Sequence, residues 1–236
     1  MNPDTDLRKY KKIKKEGKIL FKKIYLDNFN NLEELIKEEY EKGKILCKII
    51  NYPEPVSYGK NYICYEYLNI KTNFKELVLN NKAFSIHFKK IGEMIAKVHN
   101  SNLLHGDFSP SNIILDENDK LYIIDAAFNY DKNLKLCPEN DLGYFISNIR
   151  FLKPISKIYL LKNMTQYNQY IKIFLNSYLE NIDLNVSISK IKKIELEYYK
   201  KYYKISYLEK NIISFIFWFF LSNLIYFLER KSNYKL

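Results

Sequence analysis

The chain has 236 residues, 47% of them hydrophobic, which suits one substantial core or two small lobes sharing a cleft and excludes a string of large domains. A formal charge of +11 invites a polyanion, yet the positive charge is nearly all lysine, with only Arg8, Arg150 and Arg230 as arginines, amid an excess of Asn, Ile and Tyr. That pattern reads as base-composition bias and a solvated basic surface, so no nucleic-acid partner is expected.

Cys47, Cys64 and Cys137 are too scattered for a disulfide framework or a metal site, which points to the cytoplasm, and the basic N-terminus lacks the apolar core of an export signal. In chain order, the runs 8–13 and 18–25 predict a hairpin around the turn 14–17. Asn31 followed by Glu34 marks a helix start, and Leu32, Leu35, Ile36, Tyr40, Leu46 and Cys47 recur with helical period. Glu39 falls inside that apolar stripe, whereas Glu33, Glu34, Lys37 and Lys42 are expected to face water. Residues 56–58 and 62–68 form a second strand pair, and 69–81 reads as a connector with one short helix. Phe84, Phe88, Ile91, Ile95 and Val98 then predict a helix over 84–99. After one more hairpin, 112–115 and 121–124 around the turn 116–119, the rest reads as helical. The uncharged run 211–228 is marginal for a membrane span and carries Ser214, Ser222 and Asn223, so a core helix with at most peripheral membrane contact is expected.

The segment His105-Gly106-Asp107-Phe108-Ser109-Pro110-Ser111-Asn112, followed after the apolar hairpin by Asp125, carries the chemistry. It resembles the catalytic loop H-R-D-x-x-x-x-N and metal-binding aspartate of the protein kinases. Glycine in its second position is still more similar to the wider kinase-like group: lipopolysaccharide core sugar kinases, aminoglycoside and choline phosphotransferases, and Rio-type atypical kinases. The resemblance covers roughly residues 15–145 and implies ATP and Mg²⁺. By the same resemblance Asp107 orients and deprotonates the attacking hydroxyl, Asn112 and Asp125 bind the metal, and His105 braces the loop. His99 and His87 read as ordinary helix residues. The strand Leu20–Ile24 resembles the one that carries the nucleotide lysine, which makes Lys22 the candidate with Lys23 a close alternative. Glu39, or its neighbour Glu38, is then the ion-pair partner. Backbone groups of Glu66 and Tyr67 would hold adenine at a hinge, and Asp141 resembles the helix-capping aspartate that supports the catalytic loop from below.

Three departures stand out. No G-x-G-x-x-G is present, Asp125 is followed by Ala126-Ala127 in place of Phe-Gly, and only residues 126–140 separate Asp125 from Asp141, too few for the usual activation segment and peptide platform. The resemblance therefore implies an α+β, two-lobed, protein-kinase-like fold over residues 1–236, with a small β-rich N-lobe (1–68) and a helical C-lobe (69–236). The expected function is transfer of the ATP γ-phosphate to a glycan or glycolipid hydroxyl, as in lipopolysaccharide core biosynthesis. A compact Rio-like Ser/Thr kinase and a nucleotide-binding pseudokinase are the alternatives.

Overall fold

The computed structural model describes residues 8–26, 31–126, 137–152, 159–208 and 220. Strands β1 (Arg8–Lys15) and β2 (Lys18–Tyr25) form the expected hairpin; β2 has the expected bounds, while β1 runs on past residue 13 to Lys15. The turn shrinks to Glu16 and Gly17, both in the left-handed region, which is the two-residue geometry that matches strand twist. With β3 (Pro55–Gly59) and β4 (Tyr62–Glu66) they make a four-stranded antiparallel sheet in the order β1-β2-β4-β3. Helix α1 (Leu32–Ile49) buries Ile36, Glu39, Gly43 and Leu46. Asn31 precedes it with φ 82° and makes no side-chain cap, so the expected capping signature does not operate: a left-handed residue does not aim its side chain at the first-turn amides.

The sheet side does not end at residue 68. Part of the expected connector is strand β5 (Ile70–Asn73), which pairs with β6 (Ile113–Asp116) in a second sheet completed by β7 (Leu121–Ile123). This pairing fell outside the periodic pattern because β5 is short and polar and joins residues far apart in sequence. The Asp116 carboxylate accepts from the amides of Asn118 and Lys120 at 2.9 Å each, closing the β6–β7 turn.

The helical lobe is α2 (Phe74–Leu79), α3 (Ser85–Asn100), α4 (Pro138–Phe151), α5 (Tyr159–Asn181) and α6 (Ile188–Leu208). Gly92 lets α3 and α5 approach closely, since a Cβ there would meet the Phe174 carbonyl at 2.5 Å. Phe74, Phe88, Phe108, Phe145, Phe174 and Tyr178 are fully buried between these helices. Within that core Phe108 stacks on Phe145 at 4.9 Å and Phe145 packs on Phe174 at 4.8 Å, so an aromatic column rises from α5 to the loop that carries Asp107. Arg150 of α4 and Glu195 of α6 form a buried ion pair at 2.7 Å that ties the two helices together. No helix among the described residues is long and apolar enough to cross a membrane, and the run 211–228 lies outside them except for Phe220.

Candidate active site

Helix α4 sets the loop from below. Asp141 lies in its first turn, where a carboxylate complements the helix dipole, and Phe145 follows one turn later on the same face. One Asp141 oxygen accepts from the His105 amide at 2.7 Å and the other from the Gly106 amide at 2.9 Å. Gly106 has φ +85°, the conformation that turns its amide inward and that a residue with a Cβ adopts at a cost. Burial pushes the Asp141 carboxyl up, but the His99 ring and the loop amides outweigh it and hold the group below the ordinary aspartate range. His99, which looked like an ordinary helix residue, bridges Asp141 (3.1 Å) and the Tyr178 hydroxyl (2.9 Å).

His105 is a fixed neutral strut. Its Nε2 lies 3.0 Å from the Ile124 carbonyl and its Nδ1 3.2 Å from the Asp107 amide, an arrangement satisfied by the Nε2–H tautomer. Burial lowers its pKa to about 4, which rules it out as a general base that cycles near neutral pH. Asn112 donates through Nδ2 to the Asp107 carbonyl at 2.8 Å and to Oδ2 of its carboxylate at 3.0 Å. The hairpin then returns, and the Ile124 amide donates to the Asn112 carbonyl at 2.9 Å, so Asp125 ends beside Asn112. Asp125 sits at φ 58°, a strained position for a residue with a side chain, with the next amide, Ala126, held by the Tyr52 hydroxyl at 3.4 Å.

The upper wall comes from β2 and α1, and here the register corrects the expectation for lysine. Phe21, Lys23 and Tyr25 share the cleft face of β2, while Lys22 lies on the opposite face with its ammonium 3.7 Å from the Tyr62 ring. Lys23 is buried and pairs with Glu39 at 2.9 Å and with Asp125. Glu39 also accepts from the hydroxyls of Tyr25 and Tyr65, the latter at 2.6 Å, whereas Glu38 is exposed. The Tyr65 hydroxyl is held protonated, its pKa pushed up by burial and by the neighbouring Tyr52 and Glu39. One further expectation fails. Lys42 does not face water; it is half-buried and donates to the His105 carbonyl at 3.2 Å, because it stands three residues past Glu39 on the same face of α1.

Between the walls lies a cavity of about 480 Å³, within the range of small-ligand sites. Its lining includes Tyr10, Phe21, Tyr65, Leu68, Ile114 and Ile124 on apolar sides, with Lys23, Asn112 and Asp125 at the polar end. Glu66 and Tyr67 line it as expected, but the Glu66 amide is already given to the Glu54 carbonyl at 2.9 Å and is not available to a base. Tyr10 stacks on Phe21 at 5.4 Å and both line the cavity, as does Tyr67, whose ring lies 4.1 Å from the Lys12 ammonium; where a glycine-rich loop would join β1 and β2 there is only the tight Glu16-Gly17 turn. The donor set fits a nucleotide with its cation. Lys23 offers a buried ammonium, Asp125 a carboxylate, and Asn112, whose nitrogen is committed to Asp107, an amide oxygen of the hard type Mg²⁺ prefers.

A small sheet with one helix set over a helical lobe, and a cleft where a lysine–glutamate pair faces an Asp–Asn–Asp set, define a protein-kinase-like fold. The RIO domain family model matches residues 4–133, more than half of the chain, and the chain belongs to that family. It is 30% identical over 144 residues to the EKC/KEOPS complex subunit bud32 of Dictyostelium discoideum, covering 55% of this chain and 56% of that protein. A putative serine/threonine-protein kinase of Acanthamoeba polyphaga mimivirus is 26% identical over 116 residues, 44% of this chain and 41% of that one. Over a stretch of 38 residues, 16% of each chain, it is 47% identical to the 3-deoxy-D-manno-octulosonic acid kinase of Vibrio parahaemolyticus. The chain thus spans about half or less of the length of these curated relatives.

Proposed function

We propose that this protein is an ATP- and Mg²⁺-dependent phosphotransferase whose acceptor is a serine or threonine hydroxyl on a partner protein. The observation that carries the reading is the Asp107–Asn112–Asp125 set facing the Lys23–Glu39 pair across one cavity. Lys23 would hold the α/β-phosphates, kept in place by Glu39 and its two tyrosines. Asp107, oriented by Asn112, would receive the hydroxyl proton as the new bond to phosphorus forms. Magnesium bound by Asn112 and Asp125 would neutralise charge on the transferring group. Preorganisation by the Asp141 cluster keeps Asp107 in place before any substrate arrives, which is where such a site gains most of its rate.

The protein acceptor is favoured by the RIO match over 130 residues (4–133) and by relatives named as a serine/threonine kinase and as a complex subunit. With so few residues between Asp125 and Asp141, the partner would dock as a folded surface rather than as an extended peptide. The second reading, a glycan acceptor, is supported by the short likeness to the 3-deoxy-D-manno-octulosonic acid kinase. Incubating the full chain with γ-labelled ATP, Mg²⁺ and separate protein and glycan fractions of the source cells tests it. Label on serine or threonine of a discrete protein is the expected result; label confined to the glycan fraction would establish the second reading instead.

A further inference from the structure

We infer that Lys42 is a positioning residue: its ammonium ties α1 to the backbone of the catalytic loop, so that the lysine–glutamate pair and Asp107 are set by one rigid helix. The inference rests on the functional reading above and deepens it. Glu39 and Lys42 lie three residues apart on α1 and reach the two halves of the cleft, Glu39 up to Lys23 at 2.9 Å and Lys42 across to the His105 carbonyl at 3.2 Å. That carbonyl belongs to the peptide whose following amide, Gly106, is gripped by Asp141 at 2.9 Å. A displacement of α1 therefore disturbs the lysine pair and the loop together. Position 106, an arginine in the H-R-D form of this loop, is glycine here, and the cation beside the loop comes instead from the helix of the other lobe.

The energetics argue that this contact is kept for something other than stability. Burial lowers the Lys42 pKa, although the facing carboxylates, Asp141 on α4 and Glu39 on its own helix, pull it upward. A lysine whose pKa falls on folding costs stability at every pH below its folded pKa, and the cost disappears only above the unfolded value. A lysine half-buried at such a cost, in contact with the loop that carries Asp107, fits the trade of stability for a preorganised site.

Lys42→Met and Lys42→Arg in the full chain provide the test. In Lys42→Met we expect Tm unchanged or raised, the MgATP KM within about threefold of wild type, and kcat reduced by about 10²-fold, the scale of a small misplacement of a reacting group. Lys42→Arg should recover most of that loss, and amide exchange across 103–109 should quicken in Lys42→Met alone. An unchanged kcat, a collapse in Tm, a rise in KM that matches the fall in kcat, or an arginine variant no better than methionine would each overturn the inference. Should the wild-type chain move no phosphate from ATP, the functional reading fails by itself. Amide exchange then decides the positioning role: unchanged protection in Lys42→Met overturns it, and lost protection sustains it.

Discussion

The carboxylates of Glu39 and Asp141 are both buried, one behind the Lys23 side of the cleft and the other beneath its catalytic loop, but they are held by different kinds of donor. Glu39 is surrounded by side chains from two strands, the Lys23 ammonium and the Tyr25 and Tyr65 hydroxyls. Asp141 is held largely by backbone, the amides of His105 and Gly106, and among the described residues the His99 ring on α3 is its side-chain donor. Side-chain donors can exchange partners, and Lys23 is already shared between Glu39 and Asp125. Backbone donors cannot move without moving the loop. The first cluster is suited to meeting a ligand, and the second to fixing a geometry.

That contrast predicts separable losses. Lys23→Met should lower kcat/KM for MgATP by about 10² to 10³-fold, the usual effect of removing one preorganised donor to developing charge, whereas Lys22→Met should stay within about threefold. Equal effects from the two variants would place the nucleotide lysine wrongly. In the second cluster, Asp141→Asn removes the charge that two amides and a ring share, and should cost about 3 kcal/mol in urea unfolding, with kcat falling alongside. A variant that lost activity at full stability would break the comparison.

Acid should act on the second cluster through His105. Its folded pKa, lowered to about 4, lies below the unfolded value, so its contribution is fully present above about pH 6.5 and is lost as pH falls from there to about 4. The loss comes to about 3 kcal/mol, and a Tm that stayed flat from pH 7 to 4.5 would contradict the neutral, buried strut. The smallest effect belongs to Tyr65→Phe, which deletes one of several donors to Glu39 and should cost about 1 to 2 kcal/mol with a modest rise in the nucleotide KM.

The same difference explains what could be read in the sequence. Asp107, Asn112, Asp125 and Asp141 were legible because the loop, a short hairpin and one helix start bring them together over a single stretch of chain. The upper cluster depends on strand register, and a slip of one residue exchanges Lys22 for Lys23; both have apolar neighbours at alternate positions, Leu20 and Ile24 or Phe21 and Tyr25, so alternation could not choose. Lys42 looked solvated because helical periodicity records the apolar stripe and not the lobe that packs beside it. His99 and Tyr178, 79 residues apart, meet only through the packing of α3 on α5, and no local signal announces them.

Transfer of the γ-phosphate from MgATP by the wild-type chain and by Asp107→Asn, with nucleotide affinity measured on the same samples, tests the central claim most directly. The account predicts Mg²⁺-dependent transfer by the wild type, a loss of about 10³-fold in Asp107→Asn, and dissociation constants for MgATP within about threefold of each other. Equal transfer by the two proteins, or a wild-type chain that does not bind MgATP, would contradict it.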